Sequence, residues 1–184
     1  MIVLFHDYIS PASAVAVWRA QRLADEGLSI RFEGIESIGI DAILPVTLAV
    51  VAELDALSES AAEMGLTLRR PQSLPPTAGA HVLGRWAEES GLGASWRQTC
   101  YQAFWEQGAH LGNNDVLRAL AVRAGLDGIE AEAVLEDRER FRALRLSTAA
   151  LRSEGVGGVP TIRAHGTLVP GLLDEADMRT LAGL

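Results

Sequence analysis

Residues 2–13 read Ile2-Val3-Leu4-Phe5-His6-Asp7-Tyr8-Ile9-Ser10-Pro11-Ala12-Ser13, and this stretch decides the fold. The continuous apolar run Ile2–Phe5 is typical of a central strand covered on both faces. Serine is a preferred N-cap residue and proline is favoured at the position after it. The stretch therefore predicts a buried strand followed at once by a helix that begins at Pro11.

The segments that follow complete a strand-helix-strand unit. The helix is predicted to run to about Glu26, where Gly27 provides its C-terminal exit. Apolar and polar residues then alternate over residues 28–33, which predicts a second strand with one covered face. Because the connection is a helix, the two strands are expected to be parallel.

The rest of the chain is mostly helical and returns to strands near its end. Residues 36–57 predict a short helix broken near Pro45, and the proline-rich residues 69–77 predict an extended linker. Helical patterns fill residues 78–154, with Asn114 as one N-cap. Residues 161–169 predict an antiparallel hairpin, and Asp174 caps a last helix. The order predicts an α/β protein with a helical insertion.

Composition narrows the possible partners. The chain has 184 residues and a net charge of −8, which argues against nucleic acid or an anionic membrane as a partner. Its longest apolar region, residues 38–52, contains Asp41 and Pro45 and is shorter than the roughly 20 residues that a membrane span needs. No secretory signal is recognisable, so we expect a cytoplasmic protein.

Three motifs make the chain resemble the DsbA-like thioredoxin-fold family. The resemblance is strongest to the branch of 2-hydroxychromene-2-carboxylate isomerases, kappa-class glutathione transferases and FrnE-like proteins. It implies a thioredoxin-like domain from residues 1–70 and 152–184, interrupted by an all-helical insertion from 71–151. The motifs are Phe5-His6-Asp7-Tyr8-Ile9-Ser10-Pro11-Ala12-Ser13, Gly112-Asn113-Asn114-Asp115-Val116-Leu117 and Gly155-Val156-Gly157-Gly158-Val159-Pro160-Thr161.

The resemblance implies a ligand site at the Ser10 turn. Redox members of the fold carry Cys-x-x-Cys there, whereas this chain has Ser10 and Ser13, so two-cysteine redox chemistry is excluded at this site. The related isomerases and transferases use the serine to hold the sulfur of glutathione. By resemblance, Ser10 takes this role, with a cis Val159–Pro160 bond opposite. Contacts are implied for Pro11, Ser13, Val159, Pro160 and Gly171. The alternative is that Ser10-Pro11 only starts a helix.

One departure from the family pattern keeps several functions open. The family's Asp-Arg pair for the γ-glutamyl end of glutathione is absent, and Asp174 stands where the arginine would be. Residues 169–173 instead predict an apolar wall that suits a hydrophobic ligand. The primary expectation is a glutathione-dependent transferase or isomerase of small hydrophobic electrophiles. The alternatives are a redox-inactive peptide- or protein-binding module and a different small-molecule isomerase. A homodimer is implied by the resemblance alone.

Few other residues suggest chemistry. His6 and Asp7 end the first strand, where a general base would serve a ligand, although polar strand ends are common. No Cys/His cluster with metal-ligand spacing is present, so we expect no metal. The single cysteine, Cys100, lies one helical turn from both Trp96 and Phe104, which predicts core packing.

Overall fold

The computed structural model describes residues 1–183 and contains four strands and eight helices within them. In chain order they are β1 (Ile2–His6), α1 (Pro11–Asp25), β2 (Ile30–Gly34), α2 (Leu48–Glu63), α3 (Ala78–Glu89), α4 (Gly93–Gln107), α5 (Asn114–Arg123), α6 (Gly128–Glu136), α7 (Arg138–Ser153), β3 (Thr161–Ala164), β4 (Thr167–Pro170) and α8 (Glu175–Ala182).

The sheet has the strand order β2-β1-β3-β4. Strands β1 and β2 are parallel, whereas β3 pairs antiparallel with both β1 and β4. The predicted thioredoxin-like arrangement is therefore confirmed. The hairpin turn is at His165 and Gly166, whose φ angles of 50° and 81° are those of a two-residue hairpin turn.

Two predictions about helices need correction. Pro45 breaks no helix, because α2 begins at Leu48, after Thr47 accepts the Val50 N–H in its Oγ1 at 3.3 Å. Helix α5 is capped by Asn113 rather than Asn114, since the Asn113 side chain accepts two backbone N–H groups. The helical pattern that follows residue 128 is confirmed and forms two helices, which meet at Asp137, the N-cap of the second.

The main hydrophobic core joins the sheet part to the insertion. One buried cluster contains residues of β1 and α1 together with the large side chains of α4. Cys100 lies in this core, as predicted, and burial raises the pKa of its thiol well above the ordinary value. The division into two domains stays a prediction. None of the helices within residues 1–183 is long and apolar enough to span a membrane.

Candidate functional site

Ser10 lies at the N-terminus of α1, and its hydroxyl proton is free to form a hydrogen bond. Its Oγ accepts the Ser13 N–H at 3.1 Å, and its own N–H donates to the Asp7 carbonyl at 3.2 Å. A hydroxyl has one proton to donate besides its two lone pairs. Among the described residues nothing accepts the Ser10 hydroxyl proton, and the side chain is only partly buried. Ser10 can therefore donate to a ligand at this helix end.

The two other predicted residues of this turn are turned inward. Pro11 occupies the first helical position and is buried. Ser13 is fully buried, and its Oγ accepts the Asp7 N–H at 3.4 Å. Ser13 thus stabilises the turn from inside, and its hydroxyl is not placed to contact a ligand directly.

A carboxyl from α2 faces the same helix end. Burial raises the pKa of Glu53, and the backbone N–H of Ala12, which its carboxyl faces, offsets part of this rise. Helix N-termini attract anions because their first N–H groups have no partner within the helix. Glu53 is thus a carboxyl placed near the N-terminus of α1, and its pKa is nevertheless raised by burial.

The loop before β3 contains a cis peptide bond at Val159–Pro160, as the resemblance implied. The Pro160 carbonyl accepts the Gly171 N–H at 2.9 Å, and the Thr161 hydroxyl donates to Gly158 at 2.8 Å. Thr161 pairs with Phe5, so the cis proline lies at the same end of the sheet as the Asp7 turn. Gly171, a predicted contact residue, is bonded to the loop through its backbone.

Asp7 is the centre of a buried hydrogen-bond network. Its carboxylate accepts the backbone N–H and hydroxyl of Ser37 at 2.7 and 2.6 Å, and it pairs with His81 Nε2 at 3.0 Å. Burial alone would raise the pKa of Asp7. The hydrogen bonds and charge of His81, together with the bonds from Ser37, outweigh it and lower this pKa. Asp7 is therefore a structural carboxylate, 0 % exposed.

His6 is equally enclosed. The Tyr101 hydroxyl donates to the Asp7 carbonyl at 3.2 Å and lies 3.0 Å from His6 Nδ1, so that nitrogen carries the proton and donates to the tyrosine. Burial, and then the charges of His81 and Arg97, lower the pKa of His6 well below its ordinary value. His6 is 2 % exposed and neutral, which leaves no role for it as a base open to solvent.

The buried state of His6 predicts an acid-sensitive stability. Unfolded His6 gains a proton below its ordinary pKa of 6.5, whereas the folded form does not. The stability that neutral His6 contributes is therefore fully present above pH 6.5. It is lost as pH falls toward the pKa that His6 has in the folded protein. Urea unfolding from pH 6.5 to 5 is expected to show a slope of up to about 1.4 kcal/mol per pH unit from this group.

The matched variants for this prediction are His6→Gln and His165→Gln. His6→Gln is expected to remove the slope that comes from the buried imidazole. His165 lies exposed in the hairpin turn, and His165→Gln is expected to keep the wild-type slope. An unchanged slope in His6→Gln would show that the imidazole is protonated in the folded protein.

An open groove of about 350 Å³ adjoins the cis-proline loop. One wall is formed by residues 35–38 after β2, and the other by residues 156–159. Arg152 lies at the groove and donates to the carbonyls of Glu36 and Ser37 at 2.8 and 3.0 Å. None of the residues in this first wall was predicted to be a site residue. Within residues 1–183 no group of three or more acidic, His or Cys side chains is arranged to hold a metal ion.

The sequence profile of the DSBA-like thioredoxin domain matches residues 1–183. The chain belongs to this family. The uncharacterized protein YwbO of Bacillus subtilis is 30 % identical to this DSBA-like chain over 86 residues. That match spans 46 % of this chain and 43 % of YwbO, so it covers less than half of either protein.

Solved structures share the fold of this DSBA-like protein. A probable DsbA oxidoreductase from Streptomyces coelicolor superposes with a TM-score of 0.83 at 22 % identity, covering 99 % of this chain and 89 % of its own. A 2-hydroxychromene-2-carboxylate isomerase gives 0.78 at 22 %, covering 99 % and 92 %. The cytosolic disulfide reductase DsbM of Pseudomonas aeruginosa, solved with GSH, gives 0.71 at 20 %, covering 100 % and 99 %.

Proposed function

We propose that this DSBA-like protein is a glutathione-dependent transferase or isomerase of small hydrophobic electrophiles. The observation that carries the proposal is the free hydroxyl proton of Ser10 at the N-terminus of α1, at the same end of the sheet as the cis-proline loop. An anionic sulfur at a helix N-terminus is stabilised by unpaired N–H groups and becomes a good nucleophile.

The site residues support thiol activation rather than disulfide exchange. Ser10 and Ser13 hold the positions of the two redox cysteines, and the single thiol, Cys100, is buried elsewhere in the core. Disulfide exchange requires a thiolate of the protein as the attacking group. The protein therefore has no dithiol at this turn, and its serine acts on a thiol supplied by a ligand.

The groups around the turn and the groove suit glutathione at three points. The Ser10 hydroxyl suits the sulfur, and the half-buried Val159 offers backbone groups for pairing with the peptide part. Arg152 provides a positive charge at the groove for a carboxylate. Asp174 takes no part, because its carboxylate accepts the Asp177 N–H at 2.8 Å and caps α8.

A second candidate function is peptide or protein binding at the cis-proline loop. The open groove beside residues 156–159 favours it, because exposed loop backbone can pair with an extended chain. An isomerase acting through His6 or Asp7 is less well supported, since both side chains are buried and hydrogen-bonded. A cytoplasmic location and a homodimer belong to the main proposal.

The test is calorimetric titration with glutathione, combined with an ultraviolet pH titration of the bound thiolate. Ser10→Ala is expected to weaken binding about tenfold and to raise the pKa of the bound thiol by about one unit, as for a lost hydrogen bond to a charged group. Ser58→Ala, an exposed change on α2, serves as the control. If the wild type binds no glutathione but binds extended peptides, the second function is correct.

A further inference from the structure

Helix α7 is a strongly basic element in an acidic protein. It carries five of the chain's 16 basic residues and a single acidic one, Glu139, whereas the whole chain has a net charge of −8. Leu144 and Leu151 bury the apolar side of the helix in the protein core, and most of its arginines are exposed. Positive charge is therefore concentrated on one face of a molecule that is otherwise negative.

Three of the α7 arginines line an open groove at the junction of α6 and α7. The groove has a volume of about 620 Å³. Its lining includes Glu136, Arg138, Phe141, Arg142, Arg145 and Leu146, and we call it the arginine groove. Apolar surface lies among the charges, because Leu146 is 62 % exposed and Phe141 is half-buried. The arginine groove shares no lining residue with the Ser10 turn or with the groove beside the cis-proline loop.

The arginines of this groove have almost no acidic partners. Within residues 1–183, the side chains of Arg138 and Arg145 form no ion pair or hydrogen bond, and Arg142 lies only within 3.9 Å of the exposed Glu139 carboxylate. Arg140, on another side of the same helix, is paired with an acidic residue of α3. The lack of partners is therefore confined to the arginines that line the groove.

The spacing of these arginines works against the helix that carries them. Arg138 lies four residues before Arg142, and Arg145 lies three residues after it, so like charges are neighbours on the helix surface. Like charges at these spacings destabilise a helix, whereas opposite charges stabilise it. Departures from local preference of this kind are typical of functional sites. An acidic partner bound over the three arginines would relieve the repulsion.

The dimensions of the groove fit a helix as the occupant. Arg138 and Arg145 are seven residues apart, which is roughly 10 Å along the helix axis. Acidic side chains seven residues apart on a second helix have the same spacing, and an apolar side chain between them can contact Leu146. A nucleic acid or an anionic membrane extends beyond the groove, where the negative charge of the rest of the chain repels it.

We propose that the arginine groove is a docking site for an acidic amphipathic helix of a partner protein. Contacts between exposed charges are individually weak, so the arginines select and orient the partner rather than supply most of the affinity. Leu146 and Phe141 provide the apolar contact that holds it. This docking site is separate from the thiol site and does not depend on the function proposed there.

The test measures binding of a fluorescent synthetic peptide to the full-length protein by fluorescence anisotropy. The peptide has about 18 residues, enough to form a helix, with glutamates at three- and four-residue spacing along one side and leucines beside them. It is expected to bind, and binding is expected to weaken as salt rises from about 0.05 to about 0.5 M, because salt screens exposed charges. Equal binding of the same peptide with glutamine at every glutamate position would contradict the proposal.

A matched pair of double variants locates the charge that matters. Arg138→Gln/Arg145→Gln is expected to weaken peptide binding about tenfold, as for the loss of two exposed charge contacts. Arg69→Gln/Arg70→Gln removes the same charge from two exposed arginines of the linker and is expected to stay within about twofold of the wild type. Equal weakening in the two variants would show that the peptide responds only to net charge.

Two further measurements separate docking from a structural role. Leu146→Gln is expected to weaken binding about fivefold through the lost apolar contact, whereas Val122→Gln, at an exposed position of α5, is expected to retain it. Full binding by Leu146→Gln would reduce the site to charge attraction and overturn the docking. Arg138→Gln/Arg145→Gln is expected to keep or raise the urea midpoint of unfolding, because it removes like-charge repulsion. A lower midpoint would make the arginines structural.

Other occupants are tested with the same protein. A labelled DNA oligonucleotide or phosphatidylglycerol vesicles that bind more tightly than the glutamate peptide would assign the groove to a polyanion and overturn the proposal. Sedimentation velocity of the protein alone tests for a second copy of this chain. A dimer that dissociates in Arg138→Gln/Arg145→Gln would place that copy in the groove instead. Absence of glutamate-peptide binding by the wild type at low salt would show that the proposal is wrong.

Discussion

Asp7→Ala is expected to lower the free energy of unfolding by about 3–5 kcal/mol, because it removes the shared acceptor of three hydrogen bonds and each donor left unsatisfied costs about 1–3 kcal/mol. The change leaves the buried His81 and both polar hydrogens of the more exposed Ser37 without their acceptor. An unsatisfied buried donor loses its hydration without compensation, so the loss exceeds that of an exposed carboxylate. Urea unfolding at pH 7 measures it.

The pH dependence of the same variant checks the cause. The folded pKa of Asp7 lies below its ordinary value of 3.8, so its stabilisation is fully present above that pH and is lost as pH falls through the folded value. The difference between wild type and Asp7→Ala is therefore expected to shrink in strong acid. Asp55→Ala, on the exposed face of α2, is the control. A loss below 1 kcal/mol (roughly the value of an exposed ion pair) would contradict the network.

Trp96→Ala is expected to lower the free energy of unfolding by about 3–5 kcal/mol, as large-to-small changes of buried aromatic residues do. Trp96 is fully buried on α4, and its Nε1–H donates to the Ala80 carbonyl of α3 at 3.0 Å. The indole also passes close to Gly84, where an added Cβ would lie 3.1 Å from Nε1. Removing the indole opens a cavity and also removes the Nε1–H donor that the Ala80 carbonyl accepts.

The control for the second prediction is Trp86→Ala. Trp86 is on α3 and only half-buried. Trp86→Ala is therefore expected to lower the free energy of unfolding by much less than Trp96→Ala. Equilibrium unfolding of the two variants, measured by circular dichroism, decides the comparison. Equal losses for both would show that α3 and α4 are not held together by the buried indole.

Local patterns made much of the fold predictable. The run Ile2–Phe5, the Ser10-Pro11 helix start and the His165-Gly166 turn each act over a few neighbouring residues, so the patterns translate directly into structure. The start of α2 was missed because residues 36–57 have no clear period, and only the Thr47 cap marks the helix. The family motif, rather than any period, indicated the cis bond at Val159–Pro160.

The sequence by itself determined the absence of a redox cysteine pair, the serine at the helix start and the order of strands and helices. The tertiary structure alone decided how the site is built. His81 is 74 residues from Asp7, and Tyr101 is 95 residues from His6, so no local pattern connects them. Only the folding of the insertion against the sheet brings His81 to Asp7, where its hydrogen bond and charge help to lower the pKa of that carboxyl against the effect of burial, whereas burial raises the pKa of Glu36. Burial and partners are properties of the folded chain, and they decide whether the pKa of a carboxyl is lowered, as for Asp7, or raised, as for Glu36.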